Sequence, residues 1–165
     1  MTAPPPPPPP LLADEHLGRL ARYLRATGLD VALLPGVDDD VLAAAAAAEG
    51  RLLLTRDRRL ALGLPAGRGL LVRAGALADQ LVEVLGALGG IDPLAAAFTR
   101  CLVCNERLEP IAKAAVAGRV PERTLARHDD YRLCRRCDRV YWAGSHLGRM
   151  EATLREVRQR LGSKP

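Results

Sequence analysis

The four cysteines of this 165-residue chain form two Cys-x-x-Cys pairs, Cys101 with Cys104 and Cys134 with Cys137, separated by 29 residues. Each pair can present two thiolates from one tight turn, and two such turns together make the tetrahedral sulfur site that Zn²⁺ prefers. The spacing therefore predicts a structural zinc site. The alternatives are two disulfides or a redox-active Cys-x-x-Cys, although nothing in the sequence indicates an oxidising compartment.

Aspartates form a second group of candidate ligands. Asp14, the run from Asp38 to Asp40, and Asp57 each follow a short apolar segment that has the composition of a strand. If these strands are parallel, their carboxyl ends meet at one edge of the sheet, and the carboxylates converge there. Crowded carboxylates are stabilised by a hard cation such as Mg²⁺ or Mn²⁺, which can position water and stabilise a phosphate under attack. The alternative is that these aspartates are ordinary helix caps and loop residues.

The elements that must position these residues follow from the apolar pattern. Short apolar runs alternate with apolar residues at helical spacing, and glycines stand where the helices should end. This βαβαβ-like order predicts an α/β fold with a parallel sheet flanked by helices. The predicted strands are 11–13, 29–34, 52–55 and 70–72, and the predicted helices lie within 17–27, 41–49 and 77–88. A loop through Pro65 and Gly69 leads to the last strand.

Three segments are expected along the chain. Residues 1–10 form a proline-rich arm, which we expect to be a disordered tail or a ligand for an aromatic groove. Residues 11–92 form the parallel-sheet domain, and residues 98–161 form a small zinc ribbon with a C-terminal helix that begins near Ser145. Since Pro10 cannot donate to a sheet ladder, we expect the first strand to be only three residues long and to lie at an edge.

Charge is distributed unevenly along the sequence. Residues 1–100 contain ten Lys or Arg and eleven Asp or Glu, whereas residues 101–165 contain fourteen and eight. The basic excess therefore belongs to the cysteine-containing part, and nearly all of it is arginine, which suits phosphate binding. A compositional bias toward Ala, Arg and Leu would give the same excess.

The sequence contains no apolar run long enough for a membrane span and no secretory signal pattern, so we expect a cytoplasmic protein without membrane contact.

Arginines are concentrated in two places that suggest RNA as the partner. Arg56 and Arg58 flank Asp57, and a second group surrounds the second cysteine pair, where aromatic residues alternate with cations. A ribbon this small needs those aromatics for its own core, so we assign only the arginines to RNA. Thr55 is suitably placed to bind a ligand carboxylate, although threonine is also common at strand ends. The arginines of the second group are Arg132, Arg135, Arg136 and Arg139.

Several motifs in this order resemble the PIN-like RNase family named after the C-terminal domain of the nematode Mut-seven exonuclease. The opening segment 12–30, the Asp38-Asp39 pair, and the segment 49–57 are similar to the acidic motifs of that family. The cysteine pairs, with 118–121 and 140–146, are similar to the zinc ribbon that follows its nuclease-like domain. The resemblance covers about residues 11–155.

The resemblance implies a PIN-like fold for 11–92 and a metal-dependent ribonuclease, a hydrolase of RNA phosphodiester bonds. It implies that Asp14, Asp39 and Asp57 are the catalytic ligands of one or two Mg²⁺ or Mn²⁺ ions, with a zinc ribbon that positions RNA. Asp79 is the nearest counterpart of a fourth acid, although a helix cap or surface role explains it better. The main alternative is a non-catalytic RNA or ribonucleoprotein-binding adaptor, and a weaker one is a zinc-ribbon transcription or protein-interaction factor.

Overall fold

The computed structural model describes residues 7–162, so most of the predicted proline arm lies outside the described residues. Four strands form a parallel sheet: β1 (Leu11–Ala13), β2 (Val31–Leu33), β3 (Leu52–Thr55) and β4 (Gly69–Leu71). Their order across the sheet is β2-β1-β3-β4. The predicted parallel α/β sheet is confirmed.

Strand β1 is three residues long, as predicted, but the prediction that it lies at an edge is wrong. It lies between β2 and β3, with Leu11 opposite both Val31 and Leu52. Pro10 precedes the ladder, and its carbonyl accepts a hydrogen bond from the N–H of Leu52 at 2.9 Å. The sheet therefore loses no hydrogen bond through the missing N–H of Pro10. Burial on both faces explains the uninterrupted apolar run of β1.

Four helices connect or follow these strands: α1 (Gly18–Ala26), α2 (Asp39–Ala48), α3 (Arg58–Gly63) and α4 (Leu77–Ala87). A 3₁₀ turn, Glu15–Leu17, leads into α1. Helices α1, α2 and α4 are confirmed, whereas α3 follows β3 where the sequence predicted no helix. The reason is local: the side chain of Asp57 accepts hydrogen bonds from two backbone N–H groups of α3 and so stabilises its first turn.

Gly28 follows α1 in the left-handed conformation, with φ of +90°, as predicted for a glycine at a helix end. A Cβ at this position would lie 2.4 Å from the carbonyl oxygen of Ala96. The absence of a side chain at residue 28 therefore lets the segment that leads to the first cysteine pair pack against the end of α1.

The C-terminal part contains a three-stranded antiparallel sheet and a long helix. The strands are β5 (Glu109–Ile111), β6 (Tyr131–Cys134) and β7 (Arg139–Tyr141), in that order across the sheet. A 3₁₀ turn, Lys113–Val116, and the short helix α5 (Glu122–Leu125) connect β5 to β6. The helix predicted to begin near Ser145 is confirmed as α6 (Ser145–Gly162).

No helix within residues 7–162 combines the length and the apolar character that crossing a bilayer requires.

Helix α6 packs against α4 and completes the core on one face of the parallel sheet. Met150, Leu154 and Val157 are buried there together with apolar residues of α1 and α4. Helix α2 covers the opposite face, where Leu42 packs against Leu12 of β1. Helix α6 is therefore held by the parallel-sheet domain through their shared core.

Candidate active site and metal centre

Asp14, Thr55 and Asp57 lie together at the carboxyl ends of β1 and β3, and we call them the acid edge. Thr55 is fully buried and joins the two aspartates. Its hydroxyl donates to Oδ2 of Asp14 at 2.9 Å and accepts a hydrogen bond from the backbone N–H of Asp57, also at 2.9 Å. Thr55 thus forms the expected hydrogen bond to the carboxylate of a candidate ligand.

The side chain of Asp14 is buried. The residue is 8% exposed, and its hydrogen-bond donors are the hydroxyl of Thr55 and the N–H of His16, which lies 3.3 Å from Oδ1. Within residues 7–162, Asp14 forms no ion pair with a lysine, arginine or histidine. Burying a carboxylate without a charge partner is unfavourable, so a bound cation at this position would be strongly stabilised.

Only one of the two carboxylate oxygens of Asp57 accepts hydrogen bonds from the described residues. Its Oδ1 accepts hydrogen bonds from the N–H groups of Arg59 at 2.6 Å and Leu60 at 3.0 Å, as the N-cap of α3. The hydrogen bonds from Leu60 and Arg59 lower the pKa of Asp57 below its ordinary value, so its charge is retained at neutral pH. Among the described residues, Oδ2 has no hydrogen-bond partner, and Asp57 is exposed.

Asp39 is less closely tied to this group. It is the first residue of α2 and is exposed. The loop before α2 is held to the turn after β1, because Oε2 of Glu15 accepts a hydrogen bond from the N–H of Gly36 at 2.7 Å. The structure does not bring the carboxylates of Asp14, Asp39 and Asp57 together: within residues 7–162, the cysteine cluster is the only group of three or more potential ligands close enough to share an ion.

Asp38, Asp40 and Asp79 are three further candidate ligands. Asp38 and Asp40 are exposed beside Asp39, and the side chain of Asp38 does not cap α2. Asp79 forms an ion pair with Arg160 of α6. This pair joins two packed helices, so the structural interpretation of Asp79 is the better supported one.

The donors at the acid edge suit Mg²⁺ or Mn²⁺, because both ions favour carboxylate oxygens. Magnesium is usually held by only one or two protein carboxylates together with water and substrate phosphates. A magnesium site therefore does not require a preformed cage of three carboxylates, and the acid edge contains two, those of Asp14 and Asp57.

The four cysteines form the second candidate metal site. Their sulfur atoms all lie within 4.8 Å of one another. Four of the sulfur pairs are separated by 3.3 to 3.4 Å. A disulfide needs about 2.05 Å, whereas a tetrahedral zinc site with bonds of about 2.3 Å has sulfur atoms about 3.8 Å apart. The cysteines are free rather than oxidised, and the cluster fits zinc.

Tyr141 adds a polar contact to this cluster. Its hydroxyl lies 3.1 Å from the sulfur of Cys101 and accepts a hydrogen bond from the N–H of Leu102 at 3.2 Å. Burial raises the pKa of the Cys101 thiol, but hydrogen bonds from the N–H of Cys104 and from Tyr141 outweigh it and bring that pKa to about 6. A thiolate at Cys101 is thus favoured at neutral pH, as metal binding requires.

The ribbon (residues 98–144) docks at the amino ends of the parallel strands, opposite the acid edge. The buried guanidinium of Arg25 donates to the carbonyls of Leu102 at 3.2 Å and Val103 at 2.9 Å, between the first two cysteines. Asn105 accepts a hydrogen bond from the N–H of Val31 at 3.0 Å and donates to Asp30 at 2.8 Å. These contacts fix the first cysteine pair to the start of β2.

The arginines assigned to RNA lie in two separate regions. Arg56 and Arg58 are exposed beside the acid edge, whereas the other four belong to the ribbon. Arg135 forms an ion pair with Glu109 at 2.7 Å, so its charge is partly offset. Arg132, Arg136 and Arg139 are exposed and form no ion pair within residues 7–162.

Sequence reasoning missed the contacts between α1 and the C-terminal part. Arg25 lies 77 residues from Leu102 in sequence, and no motif indicates a contact over that separation. Arg22 donates to Nε2 of His146 at 2.6 Å, at the start of α6. A basic residue on the apolar face of a predicted helix is the one signal that could have identified Arg25.

Residues 9–154 match the family model described as Mut7-C RNAse domain. Searches among curated proteins and among solved structures found no match to this chain. The matched range includes the acid edge and all four cysteines, and it covers most of the sequence. The resemblance seen in the sequence motifs is confirmed: the chain belongs to the Mut7-C RNAse domain family.

Proposed function

We propose that this protein is a Mg²⁺- or Mn²⁺-dependent ribonuclease that hydrolyses RNA phosphodiester bonds at the acid edge. One observation carries the proposal: the buried side chain of Asp14 forms no ion pair within residues 7–162 and is linked through Thr55 to Asp57. In a chain of an RNAse domain family, this is the place where a divalent ion and a phosphate best fit.

The chain's own residues have distinct tasks in this proposal. When bound, Mg²⁺ or Mn²⁺ would supply positive charge that stabilises the phosphate under attack. Thr55 fixes the orientation of the Asp14 carboxylate, and the cap of α3 prevents Asp57 from rotating away while Oδ2 stays accessible. Arg56 and Arg58, which are exposed next to the site, would contact the RNA backbone.

Asp39 is the third proposed ligand. Its loop is attached beside Asp14 through the hydrogen bond between Glu15 and Gly36. We propose that the Asp39 carboxylate turns toward the ion when metal and RNA bind.

The ribbon has a structural role in this proposal, with zinc held by its four cysteines. Its arginines Arg132, Arg135, Arg136 and Arg139 position the RNA, and the parallel-sheet domain over 11–92 performs the cleavage with a PIN-like arrangement. Zinc-binding thiolates persist in reducing compartments, which supports a cytoplasmic site of action.

A non-catalytic RNA-binding adaptor is the second candidate, and a specific observation favours it. Asp14 caps the 3₁₀ turn before α1, and Asp57 caps α3, so both acids have structural tasks. In such a protein the basic ribbon would bind RNA and the acid edge would hold no ion.

Divalent metal separates the two candidates. We would incubate the protein with end-labelled single-stranded RNA in Mg²⁺ or Mn²⁺, repeat the assay in EDTA, and measure zinc content and RNA binding in both conditions. We expect cleavage with Mg²⁺ or Mn²⁺, loss of cleavage in EDTA, and one zinc per chain throughout. Asp79→Asn is the matched control, because it removes an acid that pairs with Arg160 outside the acid edge, and it should cleave normally. RNA that is bound but left intact in Mg²⁺ and in Mn²⁺ would identify an adaptor.

A further inference from the structure

A cavity of about 700 Å³ opens between α1, the ribbon and the start of α6. Its size lies in the range of ordinary small-molecule sites. Arg22 lines one wall, Arg139 lies on the ribbon side, and His146 belongs to α6. None of the ligands at the acid edge or in the cysteine cluster takes part, so the cavity is a separate feature.

The cavity retains positive charge. Arg22 donates to Nε2 of His146 at 2.6 Å, and it forms no ion pair with a carboxylate within residues 7–162. Arg139 has no hydrogen bond or ion pair through its side chain within residues 7–162. The only acid among the described lining residues, Asp138, forms an ion pair with Arg119 at 2.8 Å. Two arginines are therefore available to an anion.

An aromatic and apolar surface lies beside these cations. Trp142 lines the cavity and is half-buried. Gly144 permits this placement, because a Cβ there would lie 2.7 Å from Nε1 of Trp142. Val103, which lies between the first two cysteines, is 53% exposed and lines the same cavity. Arginines next to a partly exposed indole form the combination that holds a phosphate together with a stacked base.

The position of the cavity relates it to the acid edge. Helix α1 begins just after Asp14 at the carboxyl edge of the sheet and ends near the ribbon, at the amino edge. Arg19 and Arg22 are both exposed on it, and three helical residues correspond to about 4.5 Å along the axis. Arg19 therefore lies between the cavity and Asp14.

We propose that this cavity binds one nucleotide of a single-stranded RNA, with its phosphate on Arg22 and Arg139 and its base against Trp142. The strand then passes over Arg19 to reach the acid edge. This inference rests on the proposed ribonuclease function, and it assigns the RNA a path along α1. The arginines around the cysteines would not by themselves define that path.

Tryptophan fluorescence gives a direct test, because Trp142 is the only tryptophan in the chain. We would titrate the full-length protein with hexauridylate in buffer without added divalent ion, and separately with uridine 5′-monophosphate and with inorganic phosphate. The RNA should quench Trp142, the mononucleotide should quench it at higher concentration, and phosphate should not. Quenching by phosphate equal to that by the mononucleotide would overturn the assignment of a base-binding site.

Variants then test the two arginines. Arg22→Ala and Arg139→Ala should each weaken the quenching titration by about tenfold or more, since each removes a charged hydrogen-bond donor. The two residues lie on different elements, so a folding defect in one variant, detected by circular dichroism, leaves the other informative.

Trp142 also borders a smaller cavity of about 400 Å³, but neither Arg22 nor Arg139 lines it. Arg123→Ala, which removes an exposed arginine of α5 outside both cavities, should bind within twofold of the wild type.

Cleavage measured on the same proteins separates this inference from the proposed function. If Arg22→Ala and Arg139→Ala bind RNA and quench as the wild type does, the cavity assignment is wrong whether or not the protein cleaves RNA. If both variants lose quenching while the wild type binds RNA and does not cleave it in Mg²⁺ or Mn²⁺, the nucleotide site stands and the ribonuclease proposal falls.

Discussion

At the scale of single residues, Thr55 organises the acid edge. Its one hydroxyl donates to a buried carboxylate and accepts from the backbone of the next aspartate. This chain of hydrogen bonds links the carboxylate of Asp14 to the backbone of Asp57, from which the second carboxylate extends. A threonine at a strand end is common, and its importance here becomes visible only once β1 and β3 are known to be neighbours.

Thr55→Val should destabilise the fold by about 1–3 kcal/mol. The change keeps the shape of the side chain but leaves the buried Asp14 carboxylate without a donor and the N–H of Asp57 without an acceptor. Thr55→Ser keeps the hydroxyl and is the matched control, with a smaller loss that comes from the missing methyl group. Chemical denaturation in metal-free buffer measures both, and equal stability of the valine and wild-type proteins would show that the hydrogen bonds of Thr55 contribute nothing.

At the scale of elements, the sequence predicted the strands and long helices well. The apolar segments 11–13 and 52–55 coincide with β1 and β3, because strands buried on both faces have uninterrupted apolar sequences. Once these strands were predicted, Asp14 and Asp57 were correctly placed at their carboxyl ends. Helix α3 was not predicted because it is six residues long and begins with two arginines, so that its cap rather than an apolar pattern defines it.

Contacts between elements that are distant in sequence could not be predicted from the sequence. The pair of Arg22 with His146 joins residues 124 apart in sequence, and no periodicity or motif indicates such a pairing. The prediction that β1 lies at an edge failed for a related reason: the proline rule concerns one strand, whereas strand order depends on how the whole sheet assembles.

At the scale of the whole molecule, the ribbon and the acid edge lie at opposite ends of the same sheet. The ribbon is attached through Arg25 and Asn105, and α6 returns to pack its buried face against α4. RNA held by both regions must therefore run along the side of the sheet. The proposed path over α1 meets this requirement.

Cys104→Ser should abolish zinc binding and unfold the ribbon, because a sheet of three short strands has too small a core to be stable without its metal. Loss of the ribbon should also increase hydrogen exchange at the start of β2, where Asn105 binds the N–H of Val31. Val103→Ser is the control, since it changes an exposed side chain of the same turn and leaves the four sulfurs in place. Metal analysis and hydrogen exchange measure both effects. A Cys104→Ser protein that keeps one zinc and an ordered ribbon would refute the four-cysteine site.

The rate at which Asp57→Asn cleaves single-stranded RNA in Mg²⁺ or Mn²⁺ tests the central claim most directly. Asparagine caps helices about as well as aspartate, so α3 and the melting temperature in metal-free buffer should be retained, whereas Asp57→Ala should lose about 1 kcal/mol of stability. The asparagine removes the negative charge that the ion requires, and we predict a fall in cleavage rate of roughly two to four orders of magnitude, since a metal supplies several kcal/mol of charge stabilisation. A folded Asp57→Asn protein that cleaves RNA at the wild-type rate would contradict the account, because Asp57 would then be only the cap of α3.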